Sequence, residues 1–284
     1  MNVFSHDLSG NKTVFNYDTF TFSGGEEHIR FNIEEILTSV KIEIFARLTS
    51  SSQIVKLMVA VDALRRLSND SIPIELVIPY FPYARQDRVC VEGEALGASV
   101  MANFINQLSF SKVTIWDAHS DVSPALLHRV VNIPQLSLLM RCEELCQRLA
   151  KGELTLISPD AGASKKTIKI AEAFKGEPEV IQAQKIRDLK SGDIISTEIL
   201  GDVQGKKVLI ADDICDGGRT FIELAKVLRA KGAIEISLFI THGIFSKGVD
   251  VFVGLIDTIY TTDSFKPAEE FTKNKNINLQ IIEM

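Results

Sequence analysis

Residues 212–220 read Asp-Asp-Ile-Cys-Asp-Gly-Gly-Arg-Thr and hold most of the chemistry that residue type and spacing alone reveal. Gly217 and Gly218 allow a tight turn and a close backbone approach. A helical pattern follows, and a helix start offers free N–H groups and the positive end of a dipole. Thr220 adds a hydroxyl. Together these suit one phosphate group. Asp212 and Asp213 are the wrong sign for a phosphate but suit sugar hydroxyls or a metal-bound ligand. A phosphate beside a polyol is a sugar phosphate. The plainer alternative is a strand–turn–helix junction with an Asp cap.

Such a loop needs a strand to deliver it and a helix behind it. Apolar runs at 75–79, 112–117, 154–158, 207–211 and 235–240 read as strands. Helical patterns at 98–108, 165–174 and 221–231 alternate with them. Alternation with continuous apolar strands predicts an α/β fold of parallel sheets covered by helices on both faces. The polar clusters sit just past the strand ends, where such sheets bind ligands. The pattern occurs twice, predicting two similar domains, 1–138 and 139–284. No GxxxxGK[ST] or GxGxxG occurs, so any ATP is bound without those loops.

Composition narrows the setting. The chain has 284 residues, 45% of them apolar, and a net charge of −6. That excludes a mostly disordered chain and argues against a general nucleic-acid binder. No apolar run approaches the roughly 20 residues of a membrane span, and the first residues lack a signal-peptide pattern. Four cysteines without a CxxC pair fit reduced thiols in the cytoplasm.

The segment from 208 to 220 resembles the phosphoribosyl diphosphate loop of the type I phosphoribosyltransferase fold. Further segments narrow this to the ribose-phosphate pyrophosphokinase family. Residues 78–87 (IPYFPYARQD) resemble its PYxxYARQD, 117–119 (DAH) its DLH, and 158–162 its SPDAG. Residues 62–66, 241–246 and 22–26 match too, in order along most of the chain. The resemblance implies two tandem type I phosphoribosyltransferase-like domains. It also implies transfer of a diphosphoryl group from ATP to ribose 5-phosphate, with Mg2+, giving 5-phosphoribosyl 1-diphosphate and AMP.

Carried over residue by residue, Asp216, Gly217, Gly218, Arg219 and Thr220 would hold the 5-phosphate, and Asp212 and Asp213 the ribose hydroxyls. Lys185 and Arg187, by themselves an ordinary basic pair, match the catalytic Lys-x-Arg that stabilises charge on the moving diphosphoryl group. Residues 191–199 would be a mobile loop closing over them. His119 and Asp160 match the magnesium ligands, and Arg85 and Gln86 match contacts to ATP. Phe22, Gly24 and Glu26 match a segment that reaches the adenine of a neighbouring subunit, which implies a homo-oligomer. Three departures stand out. The family reads DTxGT where this chain has Asp-Gly-Gly-Arg-Thr, and Asp or Asn where Gly24 stands. Residues 88–98 and 120–127 replace segments that build the allosteric site of long forms, predicting weak ADP allostery and no strict phosphate requirement. Two alternatives are a phosphoribosyltransferase that consumes phosphoribosyl diphosphate and a non-catalytic regulatory homologue.

Overall fold

The computed structural model describes residues 1–284 except 37–38, 188–193 and 273, with backbone only at 34–35, 185–187 and 194–197. The chain divides into two compact units, Met1–Ile133 and Pro134–Met284.

Unit 1 begins with four short strands, β1 (Asn2–His6), β2 (Lys12–Val14), β3 (Tyr17–Thr21) and β4 (Glu27–Phe31). There follow β5 (Lys41–Phe45), α1 (Ser51–Ser68), β6 (Ile74–Ile78), α2 (Gly97–Gln107), β7 (Lys112–Trp116), α3 (Val122–Leu126) and β8 (Val130–Ile133). The main sheet has the order β2-β1-β5-β6-β7-β8. Its strands β5 to β8 are parallel, whereas β1 runs antiparallel to β2 and β5. Strands β3 and β4 form a separate antiparallel ribbon.

Alternation along β5, β6 and β7 sends Ile42, Ile44, Leu76, Ile78 and Ile115 into one core with Leu57 and Leu64 of α1 and Ile105 of α2. The other face carries Lys41, Glu43, Glu75 and Lys112, half-buried and ion-paired. Helix α1 starts where the Ser50 side chain accepts from the Gln53 N–H, and ends at Asn69 in the left-handed conformation.

Unit 2 holds α4 (Gln135–Leu139), α5 (Glu143–Ala150), β9 (Thr155–Ser158), α6 (Ala161–Glu172), β10 (Val180–Arg187), β11 (Ile194–Ile199), β12 (Lys207–Cys215), α7 (Arg219–Ala230), β13 (Glu235–Gly243), β14 (Thr258–Thr262) and β15 (Asn278–Ile282). Their sheet order is β11-β10-β9-β12-β13-β14-β15, parallel except for the β10–β11 hairpin. Its central strands are buried on both faces, as in a doubly covered parallel sheet. Phe221, Leu224 and Leu228 of α7 pack with Val208, Ile210, Leu238 and Ile240. On the opposite face Tyr260 Oη donates to Glu144 of α5 at 2.7 Å.

The α/β architecture agrees with the sequence expectation, with three differences. Helices cover both faces of the unit 2 sheet, but in unit 1 the helical core gathers on one face, because the other face carries charge. Strand β12 runs beyond residue 211 to Cys215, since Asp212, Ile214 and Cys215 pair with Ile240, His242 and Gly243. Residues 194–199, expected within a mobile loop, form β11: their β-branched run pairs with β10. Residues 191–193 of that expected loop lie outside the described residues.

All four cysteines are free thiols; Cys90 is exposed, Cys146 half-buried, and Cys142 and Cys215 buried. Among the described residues, no helix is long and apolar enough to cross a membrane.

Candidate active site

In unit 2 the chain leaves β12 at Cys215, turns through Asp216, Gly217 and Gly218, and enters α7. Gly218 is the N-cap of that helix, at φ 79°. A Cβ there would meet the Phe252 ring at 2.5 Å, so both the backbone and the neighbour call for glycine. No side chain caps α7. Its first N–H groups are therefore left for a ligand, and an anion is what they and the helix dipole select. Arg219, first in the helix, is exposed, while Thr220 is half-buried.

Acidic groups sit beside this cradle. Asp213 is buried, and its N–H donates to Asp212 Oδ1 at 2.9 Å. Burial, and then the adjoining Asp213 carboxyl, hold the Asp212 pKa well above the usual carboxylate range, and Asp160 pushes it the same way. Asp160 stands just past β9, next to β12 in the sheet, and caps α6 by accepting from the Ala163 N–H at 3.1 Å. A carboxyl whose ionisation burial and two neighbouring carboxyls make costly marks an oxygen-rich setting that a hard cation relieves. Among the described residues, no group of three or more His, Cys, Asp or Glu is arranged to hold a metal ion. Magnesium asks for less, since it binds through one or two carboxylates plus phosphate oxygens. Asp160 fits that demand.

The next strand contributes a wall. Beyond β13, the Ile244 and Phe245 N–H groups both donate to Cys215 O at 3.0 Å, and the Ser246 N–H donates to Asp216 O at 3.2 Å. Phe245 is held at φ 46°, with its ring buried against Phe252 and Phe271. This aromatic floor lies directly under the Gly218 turn. Reading the sequence did not reveal it, because its three Phe are spread over 27 positions with no motif. His242, buried, bonds Ser264 Oγ through Nδ1 at 2.8 Å, a structural contact.

Unit 1 presents its own groups at one edge of its sheet. Arg85 and Gln86 lie in the turn after β6, both exposed. The Ala98 N–H donates to Gln86 O, and a Cβ on Gly97 would meet Gln86 Oε1 at 2.4 Å, so the turn packs tightly on the start of α2. His119 follows β7 and is half-buried. Strands β6 and β7 are parallel neighbours, so Arg85, Gln86 and His119 share the same edge. Phe22, Gly24 and Glu26 occupy the tip of the β3–β4 ribbon, where the Phe22 N–H donates to Glu26 O at 2.9 Å. Phe20, Phe22 and His28 cluster there, with centroids 4.7 Å apart for Phe20–Phe22 and for Phe20–His28. Phe22 is 51% exposed, the setting of a stacking face and not of a core aromatic.

Lys185 and Arg187 lie at the end of β10, opposite Thr197 and Ile194 of β11. Their side chains lie outside the described residues. The structure thus gathers Asp160, Asp212, Asp213 and the 216–220 turn within unit 2, and Arg85, Gln86 and His119 within unit 1. The Phe22–Glu26 tip stands on its own ribbon.

Comparisons with known proteins identify the family. The N-terminal domain of ribose phosphate pyrophosphokinase matches residues 10–108, and a phosphoribosyl synthetase-associated domain matches residues 163–276. A ribose-phosphate pyrophosphokinase of Mycoplasma genitalium is 31% identical over 270 residues, 88% of this chain and 77% of that protein. One of Mycoplasma pneumoniae is 33% identical over 233 residues, 79% of this chain and 67% of that protein. The crystal structure of a phosphoribosylpyrophosphate synthetase from Mycobacterium smegmatis superposes with a TM-score of 0.79 at 22% identity, covering 95% of this chain and 87% of that one. With two family models covering most of its length and relatives of this identity, the chain belongs to the ribose-phosphate pyrophosphokinase family.

Proposed function

We propose that this protein, an enzyme of the transferase class, moves the β,γ-diphosphoryl group of ATP to the anomeric hydroxyl of ribose 5-phosphate, giving 5-phosphoribosyl 1-diphosphate and AMP. The observation that carries the reading is the uncapped, glycine-turned start of α7 directly after the Asp212–Asp213 pair. A phosphate on the N–H groups of 216–220 sets the sugar hydroxyls against those acids.

In this scheme Asp216, Gly217, Gly218, Arg219 and Thr220 bind the 5-phosphate, and Asp212 and Asp213 orient the ribose. The anomeric oxygen bonds to the β-phosphorus, the bond from that phosphorus to the AMP oxygen breaks, and AMP leaves with the electron pair. The hydroxyl proton passes to solvent. Lys185 and Arg187 stabilise the charge gathering on the non-bridging oxygens. Arg85 and Gln86 hold the nucleotide phosphates. Phe22 and Glu26 meet an adenine, with Gly24 keeping the tip open, and they serve a neighbouring copy of the chain in a homo-oligomer. Asp160 in unit 2 and His119 in unit 1 are the proposed magnesium contacts. Bound magnesium supplies charge neutralisation on the nucleotide phosphates. Free thiols suit a reducing cytoplasm. Each unit is proposed to be one phosphoribosyltransferase-like domain.

Incubating the protein with ATP, magnesium and ribose 5-phosphate tests the reading. AMP and 5-phosphoribosyl 1-diphosphate are expected in equal amounts; no AMP above a Lys185→Ala control overturns it.

A further inference from the structure

We infer that Lys247 is a substrate-binding residue, an ammonium held against the phosphate turn to pair with the 5-phosphate. The inference rests on the reading of 216–220 as the sugar-phosphate cradle and adds to it a residue outside that loop.

Three observations meet at this side chain. Gly217 has no side chain, and the space a Cβ would face is taken by the stem of Lys247, with Cδ at 3.7 Å and Cε at 3.6 Å. The ammonium lies one bond of about 1.5 Å beyond Cε. It is therefore within reach of an anion seated on the N–H groups that start α7. Second, Lys247 stands on a fixed support. Residues 244–246 donate three backbone hydrogen bonds to Cys215 and Asp216, and the Gly248 N–H donates to Phe245 O at 2.8 Å. The buried Phe245, at positive φ, anchors that turn in the aromatic floor. A bulky residue in this conformation persists only where its surroundings over-determine it, as at ligand sites. Third, the charge is uncommitted. On α7, Lys226 pairs with Glu223 at 3.0 Å and Arg229 with Asp257 at 2.6 Å. Among the described residues, neither Lys247 nor Arg219 has a carboxylate partner. Two unpaired cations therefore flank the same turn, one from α7 and one from the segment after β13. A preplaced cation next to oriented N–H groups selects a phosphate dianion over an uncharged sugar.

The test is ribose 5-phosphate binding by titration calorimetry in the full-length wild type and in Lys247→Ala, Lys247→Gln and Lys247→Arg variants, each with its melting curve. The side chain is exposed, so all four are expected to melt alike. Ala and Gln should each weaken binding about tenfold, about 1.4 kcal/mol. Arg should recover most of it, and the affinity for ATP should not change. Gln keeps the stem against Gly217, so wild-type affinity in Gln would show that packing matters and not charge, and would overturn the inference. Wild-type affinity in Ala would do the same. A wild type that binds ribose 5-phosphate in a Lys247-dependent way but releases no AMP with ATP removes the proposed reaction while leaving the inference standing. A wild type that binds no ribose 5-phosphate removes both.

Discussion

The two sheets of this protein handle polar groups in opposite ways. In unit 1, β5 and β6 bury every second residue, and with β7 they turn Lys41, Glu43, Glu75 and Lys112 to the other face, where Glu75 lies 3.4 Å from Lys41 and 3.8 Å from Lys112. In unit 2, β9 and β13 are buried almost throughout, including Ser158, Thr241 and His242 at their carboxyl ends. The difference separates two kinds of site. Unit 2 builds a cradle from backbone geometry, beside Asp212, whose ionisation is costly. Unit 1 offers exposed side chains, Arg85, Gln86 and Phe22, on turns and a ribbon. Substitutions at Asp212 and Gly218 of the first should change the fold's stability and ligand binding together. Substitutions in the second should disturb binding while leaving the fold alone.

The strongest test of that contrast is Gly218→Ala. Its Cβ collides with the Phe252 ring, and φ 79° disfavours any L side chain. A loss of about 2–4 kcal/mol in denaturant unfolding is expected, together with loss of ribose 5-phosphate binding. Gly217→Ala, whose Cβ would meet only ordinary contacts, is the control and should unfold like the wild type.

Asp212→Asn comes next and acts in the other direction. The folded pKa of Asp212 is raised, so the folded state keeps its proton above pH 3.8 while the unfolded state loses it. Folding is therefore penalised as pH rises above 3.8, and the penalty grows until pH passes the raised folded value. In metal-free buffer the variant should gain about 0.5–2 kcal/mol at pH 7, with the gain fading toward pH 3.8, while activity is lost. Melting curves across that pH range would reveal an equal or lower stability if the account is wrong.

Effects in unit 1 should be smaller. Glu75→Gln removes the shared partner of Lys41 and Lys112 from a partly exposed face, and should cost less than about 1 kcal/mol, less again at high salt. Phe22→Ala, at the ribbon tip, should change stability by less than about 0.5 kcal/mol but raise the KM for ATP. A large loss of stability would mean that the tip is core after all.

How far the sequence could be read follows the same division. Continuous runs such as 207–211 and 235–240 have one physical explanation, a parallel strand covered on both faces, and they appeared where expected. The acids at 212–213 looked like loop residues because charge at a strand end resembles a turn; only pairing with β13 extends the strand through them. Strands β1 to β4 escaped notice because they are short and their partners are antiparallel, so no run is apolar throughout. Residues 216–220 announce an anion site by type and spacing. Lys247 does not, because its relevance depends on the turn after β13 folding back onto Cys215 and Asp216.

The burial of Cys215 beneath the site has a practical consequence. Burial, and then Asp212 and Asp216, push its thiol up to about 12, and burial also raises Cys142 and Cys146. Only Cys90 is exposed, on the turn after β6, where its N–H and that of Val91 donate to Glu94. A maleimide dye at neutral pH therefore has one preferred address without any engineering of the chain, and it lies four residues past Gln86, where its emission can report on the turn proposed to hold the nucleotide while the proposed phosphate cradle goes unlabelled.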